Sequence, residues 1–112
     1  MTMYTRALVL LLTALTVTFA FSNRSYADDV DVTQIGQKFI PGNITVKAGD
    51  HVKFHNKDDV THNINVIDAA DNADDKGLQK PGEDIDELLA KAGIYNVRCS
   101  IHPKMKMTIN VQ

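Results

Sequence analysis

The segment "YNVRCSIHPKMKMTINV", residues 95–111, holds the only cysteine of the chain, one of its four histidines and two of its four methionines. Cys99, His102 and Met105 follow one another at three-residue steps, and Met107 comes two residues later. A tight loop between two strands can aim thiolate, imidazole and thioether at a single point. A further imidazole must come from elsewhere, and His62 fits, because it opens the alternating stretch "HNINVID" directly after a polar loop. Thiolate, two imidazoles and a weak thioether form the ligand set of a copper electron-transfer site. Soft sulfur favours Cu(I), and imidazole suits both oxidation states. Zinc accepts Cys and His but gains little from Met. Each residue also has a plain explanation. A lone Cys is commonly a small buried hydrophobe, inward methionines fill cores, and a histidine at a strand start is commonly just polar. Those explanations leave the joint spacing unaccounted for.

The elements that must position these residues are strands. In "ITVKAGDHVKFHN", Ile44, Val46 and Ala48 alternate with polar residues, "AGD" turns the chain, and Val52 and Phe54 alternate with His51, Lys53 and His55. This period of two predicts two half-buried strands, with His51 and His55 on the outer surface. "KDDVT" reads as a polar loop, and His62, Ile64 and Val66 share one face of the next strand. Residues 68–84, "DAADNADDKGLQKPGED", read as a solvated Asp-rich loop with Gly and Pro punctuation; the ordered oxygen ligands of a calcium loop are missing. Ile85, Leu88 and Leu89 stand at helical spacing before Gly93, which favours a helix. Tyr95, Val97 and Cys99 share a strand face, and Met105, Met107, Ile109 and Val111 share another. Several short strands separated by turns predict an all-β sandwich.

The N-terminus reads as an export signal. "MTMYTR" is a short basic start, residues 7–21 are apolar, and "SNRSYA" ends in small residues, which predicts a cleavable signal peptide over 1–27 and a single domain over 28–112. A membrane anchor usually needs roughly 18–20 apolar residues, and this run is shorter and interrupted by threonine. No Arg-Arg pair precedes it, so the route is of the Sec type and the destination periplasmic. The whole chain carries 14 acidic against 12 basic residues. Removing Arg6 and Arg24 makes the remainder more acidic, and without a basic stripe nucleic acid is excluded as a partner. A small exported domain with one cysteine has no internal disulfide, so its thiol calls for another role, metal ligation among them.

Residues 35–112 resemble the cupredoxins, small type 1 blue copper proteins, and within them the amicyanin and pseudoazurin group. The resemblance is carried by "FIPGNITVKAGDHVKFHN", "THNI", "GLQKPGE", "AGIYNVRCSIHPKM" and "TINV". It implies a Greek-key β-sandwich with copper at one end, and it makes residues 84–89 strand or irregular despite their helical spacing. It matches His62, Cys99 and His102 to the three strong ligands. The amicyanin pattern selects Met105 as axial ligand and the pseudoazurin pattern selects Met107. The "HP-x-M" spacing favours Met105, and Met107 would lie roughly 6–7 Å deeper along the strand. The chain departs from the family pattern with Ile at 101 and Met at 107. Asn63 corresponds to a residue that braces the site by hydrogen bonds.

The implied function is one-electron transport by a monomer that is not an enzyme, since four ligands close the site to water and substrate. The implied partner is a redox protein such as a periplasmic dehydrogenase or a c-type cytochrome. It would dock transiently near His102 on an apolar patch from Ile101, Pro103 and Pro41, with Lys104 and Lys106 alongside. The rival is a copper carrier or buffer.

Overall fold

A computed structural model describes residues 15–20 and 26–112. The expected signal segment, 1–27, lies largely outside the described residues; residues 15–20 of it are exposed and form neither helix nor strand. Among the described residues, no helix is long and apolar enough to cross a membrane.

Nine strands make up the regular structure of the described residues: β1 (Asp29–Ile35), β2 (Lys38–Ile40), β3 (Asn43–Val46), β4 (Asp50–Asn56), β5 (His62–Ile67), β6 (Ala73–Gln79), β7 (Asp84–Leu89), β8 (Gly93–Arg98) and β9 (Lys106–Val111). They form two mixed sheets, one in the order β2-β1-β4-β7 and the other β3-β9-β8-β5-β6. β1 with β4 and β3 with β9 run parallel, and the remaining pairs are antiparallel. The chain crosses repeatedly from one sheet to the other, so segments distant in sequence meet at the strand ends. The architecture is all-β, as the alternation requires.

The alternation also fixes which residues face inward. Val52 and Phe54 of β4, Val32 of β1, Val97 of β8 and Ile109 of β9 are fully buried between the sheets, and Phe39 meets Phe54 edge-on with ring centroids 6.0 Å apart. Burying these side chains is the main driving force for closing the sandwich. Lys76 of β6 reaches Glu87 of β7 at 3.2 Å, tying the two sheets together where their edges meet.

Two sequence expectations meet the structure differently. Residues 84–89 are strand, as the family resemblance implied, with Glu87 and Leu89 buried and Asp84, Asp86 and Leu88 exposed; pairing along the whole of β4 overrides the helical spacing. The supposed loop over 68–84 instead contains β6. This strand lies at a sheet edge with only Gln79 buried, so it needs no apolar alternation. Its charges suit an edge strand, where they discourage pairing with another chain.

Beneath one end of the sandwich lies a buried polar belt. Gln34, Asn56 and Gln79 are at most 1% exposed. Gln34 donates to Gln79 Oε1 at 2.6 Å, while Gln79 donates to the carbonyls of Phe54 and Glu83. Asn56 donates to the carbonyls of Val60 and Gln79. These bonds fasten the loops 57–61 and 80–83 to both sheets, and they form the floor on which the candidate site rests.

Candidate metal centre

Three elements converge at that end. His62 is the first residue of β5, Cys99 directly follows β8, and His102 lies on the connection to β9. One donor atom from each lies within 4.8 Å of the others. The two imidazole Nδ1 atoms are 3.1 Å apart, and His102 Nδ1 is 3.7 Å from Cys99 Sγ. The rings stand edge-on, with centroids 5.0 Å apart and planes at 72°.

The connection from 99 to 105 is closed by its own backbone. Met105 N–H donates to the His102 carbonyl at 2.9 Å, and Cys99 N–H donates to the Met105 carbonyl at 3.3 Å. Met105 is thereby brought opposite Cys99, whereas Met107 pairs with Val97, further along the sandwich. Both methionines are buried.

On the other side, a bulge interrupts the β5–β6 register between Asn63 and Asn65. His62, Asn63 and Ile64 are consequently buried in succession. A bulge re-aims side chains that a regular strand would send to opposite faces. Asn63 uses this position fully. Its backbone N–H points at Cys99 Sγ at 3.3 Å, and its Oδ1 accepts from the N–H and hydroxyl of Ser100. Its side-chain amide donates to Asp75 Oδ1 and the Gly77 carbonyl. The brace at Asn63 implied by the sequence resemblance is present, and Ser100 and Asp75 extend it. Asp75 was hidden in sequence because the edge strand that holds it read as a loop.

Asp58 was also hidden, inside the polar "KDDVT". Its Oδ2 lies 2.6 Å from His62 Nε2. That nitrogen donates to the carboxylate, which leaves the Nδ1 lone pair facing His102 and Cys99. Burial works to raise the Asp58 pKa, but hydrogen bonds from His62, Gln37 and Gly36 outweigh it and hold the carboxyl below its ordinary value. The signal in sequence was a carboxylate four residues ahead of a ligand histidine, too common a spacing to stand out.

The donor set tests well against a soft, redox-active ion. A buried sulfur with one N–H donor and two convergent Nδ1 atoms suits copper. The environment excludes bulk water, with His62 fully buried and Cys99 only 1% exposed. His102 alone of the three is partly exposed, beside a shallow cavity lined by Gln37, Ile101, Pro103 and Lys104. Pro41, expected in that patch, is not among its lining residues; Gln37, from the β1–β2 turn, is.

Residues 26–112 match the model of a family described as copper binding proteins, plastocyanin/azurin family. The chain belongs to that family. A methylamine utilization protein, MauL, from Methylorubrum extorquens is 31% identical over 106 residues, covering 90% of this chain and 93% of its own. Plastocyanin from Ulva arasakii is 37% identical over 84 residues, covering 66% of this chain and 86% of its own. Among solved structures, a mutant of amicyanin in its Cu(I) form superposes with a TM-score of 0.69 at 22% identity, over 75% of this chain and 82% of its own. A purple cupredoxin from Nitrosopumilus maritimus gives 0.67 at 22% identity, over 75% of this chain and all of its own. At these identities the structural likeness shows the fold, which is that of a cupredoxin. Copper is the family's metal, and His62, Cys99 and His102 are the group positioned for it.

His51 and His55, expected as plain surface residues, are partly buried and paired. His51 Nδ1 lies 2.7 Å from Asp86. His55 is flanked on both ring nitrogens, with Asp84 at 2.7 Å from Nδ1 and Asp31 at 2.7 Å from Nε2. Ring nitrogens pointing in opposite directions do not converge on an ion, so this cluster is a hydrogen-bonded clamp across β1, β4 and β7.

Proposed function

We propose that this chain is a small exported electron carrier, and not an enzyme, in which His62, Cys99 and His102 would hold one type 1 copper ion and Met105 would add a weak thioether ligand. The observation that carries the reading is the convergence of two Nδ1 atoms and one thiol within 4.8 Å in a buried pocket. When bound, copper would supply one-electron redox chemistry between its two oxidation states.

The chain's own residues do the rest. Cys99 binds as thiolate, whose formation a bound cation favours. Asn63 N–H points at that sulfur, and Ser100 and Asp75 hold Asn63 in place. Asp58 fixes the tautomer of His62. Ligands already gathered in one geometry need little rearrangement when the charge of the ion changes, so little energy is spent on each electron passed. Met105 is preferred over Met107 because its backbone is bonded to that of Cys99.

The exit for the electron is the partly exposed rim of His102. Around it Ile101 and Pro103 offer a small apolar contact with Lys104 at its margin, which suits a transient encounter of low buried area. The partner is a redox protein with acidic groups at its docking face, such as a periplasmic dehydrogenase or a c-type cytochrome. Cleavage after Ala27 releases the domain 28–112 into the periplasm as a monomer.

The test separates carrying electrons from delivering copper. The copper-loaded protein is cycled with ascorbate and ferricyanide in the presence of a Cu(I) chelator. An electron carrier keeps its copper through successive cycles; loss of the metal to the chelator on first reduction would favour a copper carrier instead.

A further inference from the structure

Asp58 has contacts on two sides of the site. It lies on the connection from β4 to β5, with its side chain 9% exposed. One side of its carboxylate meets His62 Nε2 at 2.6 Å. The same oxygen, Oδ2, also accepts the backbone N–H of Gln37 at 3.0 Å, and Oδ1 accepts that of Gly36 at 2.6 Å. Gly36 and Gln37 form the turn between β1 and β2, with φ of 60° and 55°, the left-handed pair that a two-residue hairpin of this twist requires. Gln37 in turn lines the shallow cavity beside His102. One carboxylate therefore joins the back of the buried imidazole to the wall beside the exposed one.

Each half of this arrangement has a physical consequence. A carboxylate behind a ligating imidazole fixes its tautomer and raises its basicity. Its negative charge favours the more highly charged state of the ion. The two backbone donors hold the carboxylate at its place, so a shift of the turn must either carry Asp58 along or weaken its hydrogen bonds. In both cases the partner of His62 changes.

We propose that Asp58 is a positioning residue for His62 and that it couples the Gly36–Gln37 turn, at the surface where a partner would dock, to the reduction potential of the copper centre. The proposal rests on the copper reading given above. Contact of a redox partner with Gln37 then alters the potential at the moment of electron exchange, and linkage requires that the oxidation state alter the affinity for that partner equally.

Three variants and a metal-free measurement test this. Asp58→Asn keeps the shape and removes the charge. It is expected to raise the Cu(I) to Cu(II) ratio at a fixed poise about tenfold, a shift of about 59 mV for a one-electron couple. Asp58→Glu retains the charge and should return most of that shift. Gly36→Ala replaces neither a ligand nor the carboxylate and keeps the N–H that bonds Asp58: an added Cβ meets nothing within 4 Å, and the positive φ strains the turn that carries this N–H. It should move the potential in the same direction by a smaller factor, with the copper absorption band retained. An unchanged potential in Asp58→Asn overturns the positioning role, and an unchanged potential in Gly36→Ala overturns the coupling. In the copper-free protein, 15N NMR should find His62 as the Nε2–H tautomer, and a mixture of tautomers in Asp58→Asn. A tautomer mixture in the wild type would sink the role of Asp58 whatever the metal does. A wild type that fails to form the copper chromophore would sink the functional reading instead, leaving the NMR result to decide on Asp58.

Discussion

Met105 and Met107 are nearly equally buried but differ in what stands opposite them, so they separate packing from ligation. Either change to Ala should cost about 2–5 kcal/mol of stability through the cavity it leaves, measured by urea unfolding of the copper-free protein. Only Met105→Ala should also change the copper absorption spectrum and raise the potential. If Met107→Ala moved the spectrum while Met105→Ala left it alone, the axial assignment would pass to Met107. Much at this scale was legible beforehand. Cys99, His102 and Met105 lie on one short connection, where spacing in sequence is close to arrangement in space. His62 was legible as the first residue of a periodic strand that follows a loop. Asp58 and Asp75 were not, because a supporting carboxylate is defined by what it touches across the fold, and nothing in its own neighbourhood marks it.

Strand-level features follow the same logic. β4, β8 and β9 announce themselves because one face is buried and the other is wet, giving a period of two. β6 was missed because it is exposed on both faces and bonded only along one edge, so no burial pattern is written into it. β7 was ambiguous until its partner was known: its spacing suits a helix, and pairing along β4 settles it as strand. The clamp at His55 is likewise a product of register, which sets Asp84 opposite it on β7 and brings Asp31 of β1 within reach. Hydrogen bonds first to Asp31, then to Asp84, raise the His55 pKa above its ordinary value, against the opposing effect of burial. A histidine whose folded pKa is raised stabilises the fold fully below its unfolded pKa, about 6.5. That contribution fades as pH climbs through the raised folded value. Asp31 and Asp84 are themselves well exposed, so screening holds the effect to about 1 kcal/mol or less. The urea midpoint of the copper-free protein should fall as pH rises from 6 towards 9, and His55→Gln should flatten this decline. A decline of the same size in the variant would assign it to another group.

At the scale of the whole molecule, charge is unevenly placed. Exposed Lys38, Lys57, Lys80, Lys104 and Lys106 lie on or beside the turns and loops around the candidate centre, with Asp59 and Glu83 among them. Asp29, Asp31, Asp68, Asp71, Asp74 and Asp86 are distributed over the strands and the remaining turns, with Lys47, Lys53, Lys76, Lys91 and Arg98 among them. Such a distribution orients the molecule in the field of an acidic partner, copper end first, and this steering weakens as salt shortens the reach of charge. Electron transfer to an acidic partner should therefore slow with rising ionic strength. Lys104→Ala should lower the rate at low salt by roughly two- to fivefold and reduce the dependence on salt, since a charge at the margin acts mainly on association. Stopped-flow kinetics over a salt series would check this; a salt slope unchanged by the substitution would remove Lys104 from the docking face.

The claim beneath all of these is that Cys99 sulfur and two imidazoles bind one copper ion together. Cu(II) titrated into the copper-free protein, followed by visible absorption, tests it most directly. An intense thiolate-to-copper band should grow to a sharp end point at one equivalent and be lost in Cys99→Ser. A protein that stays colourless with Cu(II), or a band that survives in Cys99→Ser, would contradict it.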